Sequence, residues 1–250
     1  MDNSRWQKPD SDAFQINNTV HIWIINYEKC LEMYNYHKKF LNQDEQIQTE
    51  RFHFGIDANR YSLTRALLKL ILAKILNKAP LEILFNKNEF GKPYLKDRHK
   101  LFFNVSHSGN LGLIAITDLN EIGVDVEQFR TQMTTTDIAQ RFFSKKEVEI
   151  FNTLSGKDRQ IGFFNCWSRK EAFIKAVGKG LSLPLNSFDV TLMPGEKSKL
   201  LEIRYENLDA GTWTLSELPV DDNYAAAFAI SERHYSTKLW NACAMNFYEL

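Results

Sequence analysis

Three carboxylates stand where one small cation could be held. Asp125 and Glu127 lie in the run Ile122-Gly-Val-Asp-Val-Glu127, and Glu171 lies in Trp167-Ser-Arg-Lys-Glu-Ala172. The first run alternates apolar and polar residues, which predicts a strand. Side chains at i and i+2 share a strand face, so Asp125 and Glu127 point one way while Ile122, Val124 and Val126 enter a core. The second run predicts a helix, because Phe164, Trp167, Glu171, Ile174 and Gly178 recur at helical spacing. A carboxylate inside that apolar stripe needs a partner, since an unpaired buried charge is costly. Hard oxygen ligands in small number suit Mg²⁺, which keeps some waters and often shares phosphate oxygens of a substrate.

Each feature has an ordinary alternative. Asp125 and Glu127 taken alone fit the wet face of an amphipathic strand. Glu171 and Lys175 fit an exposed i,i+4 ion pair worth about 0.3–0.5 kcal/mol. His107 fits a loop histidine bonded to backbone, although the flanking Ser106, Ser108 and Gly109 favour an anion-binding turn. Lys92, between Gly91 and Pro93, fits a solvated turn lysine. Ser144-Lys-Lys-Glu147 before Val148 and Ile150 reads as a capping box, which competes with a proton-accepting role for Glu147.

The elements that must position these groups follow from pattern. Val20 to Ile25 predicts a strand, and Asp57 to Asn77 a long helix with Asp57 as N-cap. Phe102–Val105, Leu111–Thr117 and Ile122–Glu127 predict strands. Helices are expected over Asp137–Phe142, Ser144–Leu154 and Arg159–Val177, the last stopped by Gly178 and Gly180. Strands follow at 188–192, 201–205, 213–218 and 224–230. Each half runs helix-rich and then strand-rich, with Asp118–Glu121 between them. This predicts an α+β protein of two similar halves, 19–118 and 122–250, behind a flexible tail over 1–18.

Composition narrows the function classes. The 250 residues carry 31 basic and 31 acidic side chains, a net charge of zero. That argues against a general nucleic-acid binder, which needs a basic surplus. The apolar stretch Ala66–Leu76 is too short and too charged, with Lys69 and Lys74, to span a bilayer. The polar residues 1–12 contain no apolar secretion segment. Cys30, Cys166 and Cys243 are odd in number and widely spaced, which fits a reducing cytoplasm rather than a disulfide framework or a zinc site.

Five motifs in order resemble one family. Gly91-Lys-Pro93, Asn104-Val-Ser-His-Ser108, Ile122-Gly-Val-Asp-Val-Glu127, Phe142-Phe-Ser144 and Trp167-Ser-Arg-Lys-Glu-Ala-Phe-Ile-Lys175 are similar to those of the 4′-phosphopantetheinyl transferases, in the surfactin-type branch. Gly178-Lys-Gly-Leu-Ser-Leu183 extends the likeness, which spans roughly residues 50 to 190. The resemblance implies a monomeric, pseudo-dimeric fold with the active site in the cleft between halves. It implies transfer of the phosphopantetheine arm of coenzyme A to a serine of an apo acyl or peptidyl carrier protein, with adenosine 3′,5′-bisphosphate released. The resemblance points to carriers of polyketide or nonribosomal peptide biosynthesis, without fixing which carrier is served. Asp125, Glu127 and Glu171 would hold Mg²⁺. Arg60, Lys92, Ser106, His107 and Lys175 would contact coenzyme A.

One departure concerns the nucleotide. Where some relatives carry basic residues, this chain reads Gln43-Asp-Glu-Gln-Ile-Gln48. His53, Arg60, Arg65 or Lys92 remain as compensating cations. The proton acceptor for the carrier serine is Glu171, Glu147 or a water. Asp125, Glu171 and Lys175 are the expected catalytic set. The carrier is expected to dock near 129–146, where Arg130, Arg141, Lys145 and Lys146 bring positive charge and Phe129, Met133 and Phe143 apolar contact. Two other readings are a coenzyme A-binding protein without transfer activity and a Mg²⁺-dependent phosphohydrolase.

Overall fold

The computed structural model describes residues 5–30, 33–34, 36–97, 100–130, 135–206 and 208–245. Five helices carry the helical content: α1 (Gln43–Glu50), α2 (Gly55–Leu76), α3 (Thr135–Phe142), α4 (Lys145–Thr153) and α5 (Gly156–Val177). The strands are β1 (Thr19–Asn26), β2 (Phe85–Lys87), β3 (Pro93–Leu95), β4 (Phe102–Ser108), β5 (Leu111–Thr117), β6 (Ile122–Gln128), β7 (Phe188–Val190), β8 (Leu200–Ile203), β9 (Thr214–Glu217), β10 (Tyr224–Ile230) and β11 (Ser236–Asn241). Two sheets dominate, ordered β11-β1-β5-β4 and β6-β10-β9.

Period-two burial explains the layering. On β1, Trp23 and Ile25 face α2, where they meet Leu63, Leu67 and Ile71. The alternate residues Val20, Ile22 and Ile24 face the second sheet and pack with Val124, Val126, Ala226 and Phe228. The second sheet turns its other face, through Ala225, Ala227 and Ala229, to Phe173 and Ala176 of α5. The order of layers is therefore helix, sheet, sheet, helix. The two long helices, 22 residues each, occupy corresponding places. The α+β architecture in two similar halves thus agrees with the expectation.

Several expectations need correction. The strand β11 was not anticipated. It pairs in parallel with β1, so the end of the expected 122–250 half belongs to the first sheet. The described part of the expected flexible tail, residues 5–18, is docked: Trp6 and Ala13 are buried, and Trp6 Nε1 donates to the Pro219 carbonyl at 2.8 Å, while residues 1–4 lie outside the described residues. Apolar burial outweighs the polar composition of that stretch. Asp57 lies inside α2; the N-cap is Phe54, without a side-chain bond. Cys30 and Cys243 form a disulfide across 213 residues, because β11 returns beside the turn that follows β1. The odd count left Cys166 free and buried. Among the described residues, no helix is long and apolar enough to cross a membrane.

Candidate active site

The site begins at the seam between the sheets. β4 and β6 are neighbours without a backbone ladder. Instead Asn104 Oδ1, Ser106 Oγ and Ser108 Oγ accept the backbone N–H groups of Val124, Val126 and Gln128, at 2.9, 3.3 and 3.0 Å. Side-chain oxygens at every second position of β4 replace the carbonyls of a normal ladder, which satisfies donors that burial would otherwise orphan. Each serine also donates. Ser106 Oγ bonds Asp125 Oδ1 at 2.9 Å, and Ser108 Oγ bonds Glu127 Oε2 at 3.0 Å. The motif Asn104-Val-Ser-His-Ser108 and the carboxylate strand are thus one unit. The constant offset of 20 residues was present in the sequence but has meaning only once the sheets meet.

The helix α5 closes on the same seam. Gly123 permits this, because a Cβ there would lie 2.1 Å from the Ala172 carbonyl oxygen and 2.2 Å from the Ala176 nitrogen. Only glycine allows the strand and helix backbones to approach so closely. The approach brings Lys175 Nζ to 2.6 Å from Asp125 Oδ1 and 2.9 Å from Ser106 Oγ. The ordinary alternative, an exposed i,i+4 pair of Lys175 with Glu171, gives way to this longer-range pair with Asp125. Glu171 lies in the field of Asp125.

The electrostatics describe an excess of negative charge. Asp125 is buried, and its Oδ2 has no partner. Burial raises its pKa, against the pull of Lys175 and Ser106. Burial and then repulsion from Asp125 push Glu127 up to about 7. Burial and Asp125 likewise raise Glu171. Among the described residues, no three His, Cys, Asp or Glu side chains are gathered closely enough to form a metal site as they stand. The donors still suit a hard divalent cation: Glu127 and Glu171 are each repelled by Asp125, which keeps an orphaned buried oxygen.

Cations flank this centre. His107, the exposed side chain between buried Ser106 and Ser108 on β4, has its pKa lowered by partial desolvation and by the charges of Lys175 and Arg60. Arg60 lies over the Tyr27 ring and 3.6 Å from Asp57, with its Nε unpartnered. Lys92 behaves differently. Its ammonium donates to Glu121, to the Ile122 carbonyl at 3.2 Å and to the Ala176 carbonyl at 3.0 Å. Arg65 stacks on Phe85 and faces Glu45 at 3.8 Å, and Lys69 bonds Glu45 at 2.9 Å. An open groove of about 290 Å³, lined partly by Phe90, Val105, Ile174 and Leu181, leads from Lys175 and Glu171.

Glu147 is engaged by structural bonds. It forms the expected capping box with Ser144. Its Oε1 accepts the Val190 N–H at 2.8 Å and its Oε2 pairs with Lys170 Nζ at 2.8 Å, both side chains buried. With the Ser144 N–H also on Oε2, both oxygens are held by structural donors. The apolar part of the expected docking patch also changes. Phe143 is buried, Phe129 stacks on Phe164 at 4.8 Å, and Lys146 pairs with Glu202. Met133 lies outside the described residues. Half-buried Phe142 and Trp167, ring centres 5.8 Å apart, stand instead beside exposed Arg141 and Lys145.

Comparison with known proteins agrees with this geometry. The sequence model of the 4′-phosphopantetheinyl transferase superfamily matches residues 121–229. The model described as 4′-phosphopantetheinyl transferase, N-terminal, matches residues 27–118. The 4′-phosphopantetheinyl transferase HetI of Nostoc sp. is 32% identical over 239 residues, covering 94% of this chain and 98% of HetI. The 4′-phosphopantetheinyl transferase Sfp of Bacillus subtilis is 38% identical over 156 residues, 61% of this chain and 67% of Sfp. The two matched segments meet at the short link before β6.

Proposed function

The chain belongs to the 4′-phosphopantetheinyl transferase superfamily, in its surfactin-type branch, and from that premise we propose that it moves phosphopantetheine from coenzyme A to an apo carrier protein with Mg²⁺ as cofactor. The observation that carries the reading is the seam at Asp125, Ser106 and Lys175. There an orphaned carboxylate oxygen stands beside a lysine, with Glu127, Glu171, His107 and Arg60 around them. Asp125, Glu127 and Glu171 would hold Mg²⁺. When bound, the ion would neutralise charge on the diphosphate and orient it.

The residues supply the rest. Lys175, Arg60 and His107 present donors to the diphosphate and to the ribose phosphate, with the Ser106 hydroxyl between them. Phosphoryl transfer depends mainly on positioning and on stabilising charge over the non-bridging oxygens. Lys175 can do both, since it is fixed by Ser106 and Asp125. Glu171, whose pKa is raised by burial and by Asp125, is the side chain best suited to accept the serine proton. The leaving group is adenosine 3′,5′-bisphosphate.

The carrier would dock where Phe142 and Trp167 stand beside Arg141 and Lys145, within the expected 129–146 region. Trp167 lies one helical turn from Glu171, so a serine delivered there reaches the centre. One incubation tests the function: coenzyme A, Mg²⁺ and an apo carrier protein, followed by intact mass. The expected product is carrier carrying one phosphopantetheine, together with adenosine 3′,5′-bisphosphate. Coenzyme A bound but unconsumed, or phosphopantetheine released free, overturns the reading. Charge reversal at Arg141 and Lys145 should raise the KM for carrier about tenfold and leave the KM for coenzyme A unchanged.

A further inference from the structure

The last turn of α5 is capped from the other half of the molecule. A helix leaves its final carbonyls without internal partners. Here Gly178, at φ 75°, turns the chain out of the helix and donates its N–H to the Ile174 carbonyl at 2.9 Å. Two further carbonyls at this end are met by the turn between β2 and β3. Lys92 Nζ bonds the Ala176 carbonyl, and Asn88 Nδ2 bonds the Gly178 carbonyl at 2.9 Å. The turn is itself braced, since Asn88 Oδ1 accepts the N–H groups of Phe90 and Lys92 at 3.0 and 2.9 Å.

An ammonium has three donors. Those of Lys92 reach Glu121, the Ile122 carbonyl at the start of β6 and the Ala176 carbonyl at the end of α5. Its side chain is 13% exposed. Positive charge at a helix C-terminus is also favourable through the aligned peptide dipoles. Nothing remains on this ammonium for a phosphate. What it joins are the two elements that carry the active groups: β6 with Asp125 and Glu127, and α5 with Glu171 and Lys175.

We infer that Lys92, with Asn88, is a positioning residue for the transfer reaction, its ammonium clamping the end of α5 to β6 rather than binding a phosphate of coenzyme A. The inference rests on the transferase reading for its catalytic consequence, though not for the clamp itself. Lys175 is one residue from the clamped Ala176 carbonyl, and Glu171 is a little over one turn away. A displacement of about 1 Å at such groups can cost about 10²-fold in rate.

Two measurements decide it. The first is steady-state kinetics with coenzyme A and apo carrier; the second is amide hydrogen exchange over 174–180 in the free protein. Lys92→Met keeps the apolar stem and removes the donors. It should lower kcat about 10–100-fold while the KM for coenzyme A stays within about twofold. Exchange over the last turn of α5 should accelerate about tenfold. Asn88→Ala should move both readouts in the same direction by less. Glu121→Gln removes the counter-charge while keeping an acceptor, so it should lower kcat slightly without improving the KM. A Lys92→Met protein with exchange unchanged and KM raised tenfold or more would make Lys92 a phosphate ligand and overturn the inference. So would a fall in coenzyme A KM on Glu121→Gln, because a released lysine would then be binding the donor. If the wild-type protein transfers nothing, the transferase reading fails and the exchange measurement alone judges the clamp.

Discussion

Two buried carboxylates in this protein have opposite fates, and their partners decide which. Glu147 is matched by Lys170, the Ser144 N–H and the Val190 N–H. Asp125 has Lys175 and Ser106 on one oxygen and nothing on the other. The first is bonded on both oxygens, whereas the second keeps one buried oxygen without a partner. Replacing Glu147 by Gln should therefore cost about 3–5 kcal/mol of stability, because it leaves the Lys170 charge buried and uncompensated. Denaturant unfolding measures this, and the surviving folded protein should transfer at the wild-type rate. Asp125→Ala should have the reverse profile: folding retained and transfer reduced about 10²–10³-fold. Full activity of that variant would remove Asp125 from the centre.

At the scale of elements, close approach and buried seams do the positioning. β6 lies so near α5 that a methyl group at residue 123 would strike the helix backbone. Gly123→Ala should cost about 1–3 kcal/mol or more, since neither backbone can move aside. It should also lower kcat by shifting Lys175 from Asp125; a melting curve paired with single-turnover rates would separate the two effects. The pairing of β1 with β11 carries a second testable group. His21 is fully buried, and its Nδ1 accepts the Trp240 Nε1–H at 2.9 Å. Burial, aided by Lys238, lowers its pKa to about 4. The unfolded chain takes up this proton near pH 6.5 and the folded chain only near pH 4. Its contribution is therefore present above pH 6.5 and lost progressively as the pH falls to about 4. Thermal melts of wild type and His21→Gln across that window should diverge, with the variant losing less stability on acidification. Parallel curves would refute this.

Over the whole molecule, the two halves are tied by more than their shared cleft. β11 crosses to the first sheet, Trp6 bonds Pro219, and Cys30 is joined to Cys243. A cross-link closing a loop of 213 residues restricts the unfolded chain strongly, which is worth about 5.4 kcal/mol in the chain-entropy account. Reductant should lower the melting temperature, and Cys243→Ser should lower it to the same value in the absence of reductant. Thiol titration of denatured, unreduced protein should find only Cys166. Three titratable thiols would show that the cross-link does not form.

Much of the active centre was legible in the chain. Alternation in Ile122–Glu127 puts Asp125 and Glu127 on one face whatever the surroundings, because the strand period is local geometry. Helical spacing placed Glu171 and Lys175 on one stripe, and Ser144 and Glu147 in a capping box, for the same reason. Other features were decided only by tertiary structure. The partner of Lys175 is Asp125 rather than Glu171, because the missing side chain of Gly123 lets α5 descend onto β6. Lys92 caps a helix 84 residues away, and nothing in Gly91-Lys-Pro93 distinguishes that from a solvent-facing lysine. The strand β11 and the docked N-terminal residues went unread because their burial depends on edges and grooves formed by distant segments. Periodicity reports which face of an element is apolar; what that face meets is set by long-range packing.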